Sequence, residues 1–317
     1  MPLPEKSLIK ALRRAARGGR GAGVVRGIGD DCAVLKVGAG EEILVTTDFS
    51  LEGIHFRREW HPPESVGHRC LARGLSDIAA MGGEPLAAFL SLALPAELPQ
   101  TWVDGFMQGF LRLAKRFKVP LAGGDTAQSP AGVLADIIVL GRVPRGRALL
   151  RSGAKPGDLI YVTGLLGHSA ASLEALQREG TRNRRPKLKD EYFFPEPRIK
   201  VGRFLREKRL ASAAIDTSDG LSTDLSHICE ESGVGAVVHR SAIPHSEIVT
   251  LEQGLHGGED YQLLFTARPT VKIPSRIAGV AVTRIGEIVK GTRMFLVGDN
   301  GRRTALTAKG WEHFSEP

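Results

Sequence analysis

Six short segments of the chain place a carboxylate beside Gly, Ser or Thr: GIGDD (27–31), TTD (46–48), LSD (75–77), GGD (123–125), IDTSDG (215–220) and GGED (257–260). A single Asp after Gly is ordinary turn chemistry, because the short side chain bonds its own backbone. Asp77 resists that explanation, since it falls in a helical pattern carrying Leu75 and Ile78. Asp216 and Asp219 flank a strand end, where open sheets place ligands. Together the segments supply more carboxylates than turns require. If they converge, like-charge repulsion costs several kcal/mol unless cations intervene. Oxygen donors without His or Cys pairs suit Mg²⁺ rather than Zn²⁺. Mg²⁺ held by a few carboxylates awaits substrate phosphates, and adjacent glycines let backbone N–H groups approach phosphate oxygens. The chemistry indicated is metal-assisted phosphoryl transfer. It is not that of a P-loop protein or a protein kinase, because GxxxxGK[ST], HRD and DFG are all missing. The GxG at 27–29 has no third Gly opening a helix and does not mark a dinucleotide fold.

The elements that must position these acids alternate along the chain. Strands are expected at 41–47, 133–141, 159–162, 211–215, 235–239, 261–267, 281–288 and 294–297. Helices are expected at 64–81, 98–117, 168–179, 198–209 and 221–231. In the second of these, Trp102, Phe106, Phe110, Leu113 and Phe117 form one apolar stripe, which reads as core. The first residues fit a short amphipathic helix using Leu8, Ile9 and Leu12 rather than a secretory signal. A Gly-, Pro- and Arg-rich seam at 141–158 places a domain boundary near residue 148, giving domains 1–148 and 149–317. No fixed-period repeat is present, and mixed strands and helices in two halves indicate an α+β or α/β protein.

Composition narrows the classes further. The 317 residues are 42% apolar and 25% charged, which fits globular domains rather than disorder. The longest uncharged apolar stretch, 85–96, falls short of the ~20 residues of a membrane-spanning helix. Lys+Arg 43 against Asp+Glu 35 gives +8. The basic residues are spread out except in the first helix and at 178–189, and no nucleic-acid-reading motif accompanies them. A basic balance also suits polyphosphate substrates. Cys32, Cys70 and Cys229 make no CxxC pair; they read as small buried hydrophobes in a reducing cytoplasm.

The same segments carry a family resemblance. GIGDDCAVL, LVTTDFSLEGIHF, RGLSDIAAMGGEP, AGGDT, LLRSGAKPGD, IDTSDGLSTDL and GGEDYQLLFT occur in that order, from about Ser7 to Phe314. The chain resembles the thiamine-monophosphate kinase family, within the aminoimidazole ribonucleotide synthetase superfamily. The resemblance implies an α+β, two-domain aminoimidazole ribonucleotide synthetase-like fold whose N-terminal domain sheets pair in a homodimer. It implies ATP-dependent conversion of thiamine monophosphate to thiamine diphosphate with several Mg²⁺ ions. Carried over by motif, Asp31, Thr46, Thr47, Asp48, Asp77, Asp125, Asp216 and Asp219 would hold metal. Gly124, Asp125, Arg151 and Ser218 would bind ATP, and His55, Glu259 and Trp311 would line the thiamine phosphate site. Read without the resemblance, Thr46 and Thr47 fit as plain strand residues, His55 as a structural histidine and Trp311 as a core cap. Asp30 either ligates beside Asp31 or holds the turn. The family commonly has an acid where His168 stands and Gly where Ser172 stands.

A phosphate monoester acceptor has a second pKa of about 6, so no general base is expected. The obstacle is the approach of two anions, which Mg²⁺ and Arg151 would screen while holding the oxygens in line. Two other readings predict different behaviour. Another ATP-using enzyme of the superfamily, such as a selenophosphate synthetase or a hydrogenase-maturation dehydratase, would need a reactive Cys that this chain does not place. A non-catalytic nucleotide-binding regulator would bind ATP without making product.

Overall fold

The computed structural model describes residues 24–26, 34–179 and 189–311, together with positions 11 and 14. The expected helix of Leu8, Ile9 and Leu12, the acids Asp30 and Asp31, Cys32, and residues 180–188 of the polar loop lie outside the described residues. The chain divides into two compact units. One comprises Met1–Ile78, Gly83–Gly146 and Phe193–Pro195; the other comprises Ala79–Gly82, Arg147–Tyr192 and Glu196–Pro317.

In the first unit, strands β1 (Val24–Arg26) and β2 (Val34–Leu35) pair antiparallel. The main sheet holds β3 (Glu41–Leu51), β4 (Glu84–Pro95), β5 (Leu121–Ser129) and β6 (Leu134–Pro144) in the order β3-β6-β4-β5. Helix α1 (Pro63–Ala80) precedes β4, and α2 (Gln100–Phe117) makes the crossover between the parallel strands β4 and β5. Strand β6 alternates strictly: Ala135, Ile137 and Val139 are buried, while Asp136, Ile138 and Leu140 are half-buried. The buried set faces α1, whose backbone at Gly74 runs so close that a Cβ there would lie 2.6 Å from Val139 Cγ2. Phe106 and Phe110 of the expected α2 stripe are fully buried. On the opposite sheet face Ile43, Val45 and Phe49 of β3 are half to two-thirds exposed, beside Ile138 and Leu140 and the polar pair Thr47 and Asp136.

Two strands of this sheet depart from expectation. Neither β4, which shows in the sequence as an apolar run, nor β5, with Gly-Gly-Asp at its centre, is among the expected strands; parallel pairing between them outweighs their weak local signals. Strand β3 also runs on to Leu51, so Asp48 sits inside a strand and not at its end.

The second unit is built on an eight-stranded sheet. Its strands are β7 (Leu159–Thr163), β8 (Ala213–Asp216), β9 (Gly235–His239), β10 (Leu263–Ala267), β11 (Arg276–Ile277), β12 (Val280–Val289), β13 (Met294–Val297) and β14 (Arg303–Ala305). Their order is β14-β13-β9-β12-β7-β10-β8, with β11 on β12. Helices α3 (His168–Glu179), α4 (Lys189–Phe193), α5 (Ile199–Glu207), α6 (Leu221–Ser232) and α7 (Leu251–His256) accompany it. Ile160, Val162, Leu225, Ile228, Leu264 and Ile285 form its core. Among the described residues no helix is long and apolar enough to cross a membrane. Cys70 and Cys229 are free and buried, and burial pushes their thiols up to about 12 and about 11.

Candidate functional site

In the first unit, strand alternation decides which acids meet. Thr46 and Asp48 point from β3 toward α1, where Asp77 waits on the helix. The Thr46 hydroxyl donates to Asp77 Oδ2, and Asp48 hydrogen-bonds the same carboxylate. Burial, and then the charge of Asp77, push the Asp48 carboxyl up to about 7, with Arg73 pulling the other way. Thr47 lies on the opposite face, where its hydroxyl donates to Asp136 Oδ1 at 2.8 Å. Asp125 is exposed on β5, the other edge of the sheet, three strand spacings or about 14 Å along the sheet from β3. Gly124 beside it is required by packing, because a Cβ there would lie 1.8 Å from the Leu90 carbonyl oxygen.

His55 follows the end of β3. Its Nδ1 accepts the Leu51 N–H at 3.0 Å, so the neutral ring carries its proton on Nε2. It lines a small pocket with Ser50, Phe56, Val66, Arg69 and Arg73. Arg69, Arg73 and Asp77 follow one another at i, i+4 and i+8 on α1, a spacing readable in the sequence but not used there.

In the second unit, loop-to-loop main-chain bonds assemble the site. Asp216 ends β8 and is buried. The N–H groups of Glu259 and Tyr261 donate to Ser218 O at 2.8 Å and Thr217 O at 3.0 Å. Thr217 N–H donates to Gln262 O at 2.8 Å, and Trp311 N–H to Asp219 O at 3.0 Å. The structure therefore brings Asp216, Ser218, Asp219, Glu259 and Trp311 together. Gly310 makes this approach possible, since a Cβ there would lie 1.9 Å from Asp219 O. Arg151 is exposed on the flank of β8: its neighbour Leu150 accepts from Ala214 N–H, and its own carbonyl accepts from the Ser232 hydroxyl.

Two acids that the sequence reading left unassigned stand inside the quoted motifs. Asp224 is buried; its Oδ2 accepts the Gly220 N–H at 3.0 Å, and among the described residues its Oδ1 has no hydrogen-bond partner. Burial first, and then Asp216 and Asp219, hold its carboxyl well above the usual range. Asp260 accepts from the start of α3.

These donor sets suit a hard cation. Asp48 stands with Asp77, beside Arg73, and Asp216 and Asp219 act on the buried carboxyl of Asp224, so each set offers neighbouring carboxylate oxygens. Among the described residues no group of three or more His, Cys, Asp or Glu side chains is placed to hold a metal ion by itself. Mg²⁺ needs none, because it retains waters and takes substrate phosphates as ligands.

Comparison with known proteins agrees with the fold and the motifs. Residues 29–143 match the AIR synthase related protein, N-terminal domain, and residues 155–299 the AIR synthase related protein, C-terminal domain. Thiamine-monophosphate kinase of Salmonella typhimurium is 38% identical over the whole of both chains. The crystal structure of thiamine-monophosphate kinase from Stenotrophomonas maltophilia K279a superposes with a TM-score of 0.81 at 35% identity, over 96% of this chain and 99% of that one. AaThiL complexed with AMPPCP and TMP superposes with a TM-score of 0.78 at 31% identity, over 98% and 97%. With two matching domains, the ordered motifs and identity along its full length, the chain belongs to the thiamine-monophosphate kinase family.

Proposed function

We propose that this protein transfers the γ-phosphoryl group of ATP to the phosphate of thiamine monophosphate, yielding ADP and thiamine diphosphate. The observation that carries this reading is the full-length match to a thiamine-monophosphate kinase with the acidic segments in place. AaThiL, of the same fold, has been solved with AMPPCP and TMP.

The metal-holding residues would be Asp31, Thr46, Thr47, Asp48, Asp77, Asp125, Asp216 and Asp219. When bound, magnesium would neutralise charge on the oxygens of donor and acceptor. Gly124, Asp125, Arg151 and Ser218 would bind the nucleotide, Arg151 through a guanidinium fork suited to phosphate. His55, Glu259 and Trp311 would bind the acceptor, the indole face suiting a flat pyrimidine and a cationic thiazolium. The acceptor is already dianionic near neutrality, so the residues orient and screen but abstract no proton. Transfer would be direct and in line. Division near residue 148 would separate an N-terminal nucleotide, metal and dimerisation domain from a C-terminal domain completing substrate binding.

The test is incubation of the purified protein with ATP, Mg²⁺ and thiamine monophosphate. Thiamine diphosphate and ADP should appear in equal amounts, with inversion at a chiral γ-phosphate. ATP binding without product would favour the regulator instead, and retention would sink the direct step. The buried thiols support a reducing, cytoplasmic setting. The open sheet face of Ile43, Val45 and Phe49 supports a homodimer formed through it. Val45→Glu should then give a monomer in sedimentation; a dimer surviving that change would count against this face.

A further inference from the structure

We propose that Asp260 is a positioning residue for the acceptor site, fixing Glu259 through the first turn of α3; this rests on the reading of Glu259 given above. Asp260 Oδ2 accepts the Gly167 N–H at 2.5 Å and Oδ1 accepts the Ser169 N–H at 3.1 Å. These are donors at a helix start that the helix itself cannot satisfy. The Ser169 hydroxyl donates in turn to the Glu259 carbonyl at 2.6 Å. Helix start, Asp260 and Glu259 thus form one closed ring of bonds.

The backbone around Asp260 is strained in a way that this ring explains. Glu259 has φ 64 and Tyr261 φ 49, left-handed values that non-glycine residues adopt at a cost. Such a conformation persists only where surrounding bonds over-determine it. Here they do. The amides of Glu259 and Tyr261 are tied to Ser218 and Thr217, the Glu259 carbonyl to Ser169, and the Tyr261 hydroxyl reaches Glu259 Oε1 at 3.5 Å. Released from Asp260, the segment would relax toward ordinary φ, and the Glu259 carboxylate would swing with it. The Asp260 carboxylate is itself engaged with α3, so its role is to hold and not to touch substrate.

Three variants test this in steady-state kinetics: Asp260→Asn, Ser169→Ala and, as a check on the underlying reading, Glu259→Gln. Asp260→Asn should raise KM for thiamine monophosphate about tenfold, and Ser169→Ala about threefold, as expected for losing one charge-assisted or one neutral hydrogen bond. KM for ATP and kcat should stay at wild-type values in both. An unchanged KM for thiamine monophosphate overturns the proposal, and so does a parallel rise in both KM values with a lowered thermal midpoint. If Glu259→Gln leaves that KM unchanged, the reading of the acceptor site falls and takes the proposal with it. If Glu259→Gln raises it while the other two do not, only the proposal falls. Should Asp260→Asn fail to fold, Ser169→Ala decides, since it keeps the Asp260 bonds to the helix start.

Discussion

The two acidic sets are held by opposite means. In the first unit, Thr46, Asp48 and Asp77 stand on a strand and a helix, so strand period and helix rise place them. In the second, Asp216, Ser218 and Asp219 stand where β8 gives way to α6, and main-chain bonds from residues 259, 261 and 311 hold them. The first set is rigid by register: a slip of one residue in β3 would send Thr46 and Asp48 to the open face. The second is rigid by closure, because each bond depends on another loop being in place. Side-chain changes should therefore act locally in the first set, whereas backbone changes should act at a distance in the second.

The largest expected effect is at the first set's shared acid. Asp77→Asn should lower kcat on the order of 100-fold, the scale of removing one charge-stabilising group, while leaving the thermal midpoint near wild type. Wild-type kcat at limiting Mg²⁺ would remove Asp77 from the metal set.

Gly310→Ala follows. The added methyl meets Asp219 O, so the segment carrying Trp311 must lift. KM for thiamine monophosphate should rise roughly tenfold, equivalent to about 1.4 kcal/mol. An unaltered KM would mean that closure of the loops does not set that site.

A pH series sharpens the contrast. The Asp48 carboxyl is raised from 3.8 to about 7 in the folded protein. Its contribution to stability is therefore fully present below pH 3.8 and is lost as pH rises through about 7. Without Mg²⁺, Asp48→Asn should stabilise the protein at pH 8 by on the order of 2 kcal/mol and leave it unchanged near pH 4. Denaturant melts across that range would detect this, and a flat difference between the two proteins would contradict the raised Asp48 carboxyl, set first by burial and then by Asp77.

The smallest effect should come from Thr47→Val, whose hydroxyl serves Asp136 on the other face. A loss of kcat of about threefold is expected, equivalent to roughly 0.7 kcal/mol, against a much larger loss for Thr46→Val. Equal losses would erase the distinction between the faces.

Much of this was legible in the residue pattern, for identifiable reasons. Asp77 was placed on a helix by the apolar spacing around it, and strand 235–239 and helix 168–179 were read with their observed bounds. Strand β4 escaped because its twelve residues carry no clear alternation, and β5 because its glycines resemble a turn until β4 lies beside them. The joining of Ser218, Glu259 and Trp311 could not be read, since it runs through main-chain atoms of residues far apart in sequence. Asp224 and Asp260 lay within recognised motifs, yet no spacing rule distinguishes an acid that props a loop from one that faces a ligand.

The C-terminal indole has a practical consequence. Trp311 is fastened by its amide but leaves 54% of its surface in water. A ring that is anchored and yet wet emits at long wavelength, and an aromatic cation laid across it would quench that light. If the acceptor stacks on Trp311 as proposed, equilibrium occupancy would be read as quenching of the Trp311 share of the intrinsic fluorescence, over the emission of Trp60 and Trp102, without a label or a turnover.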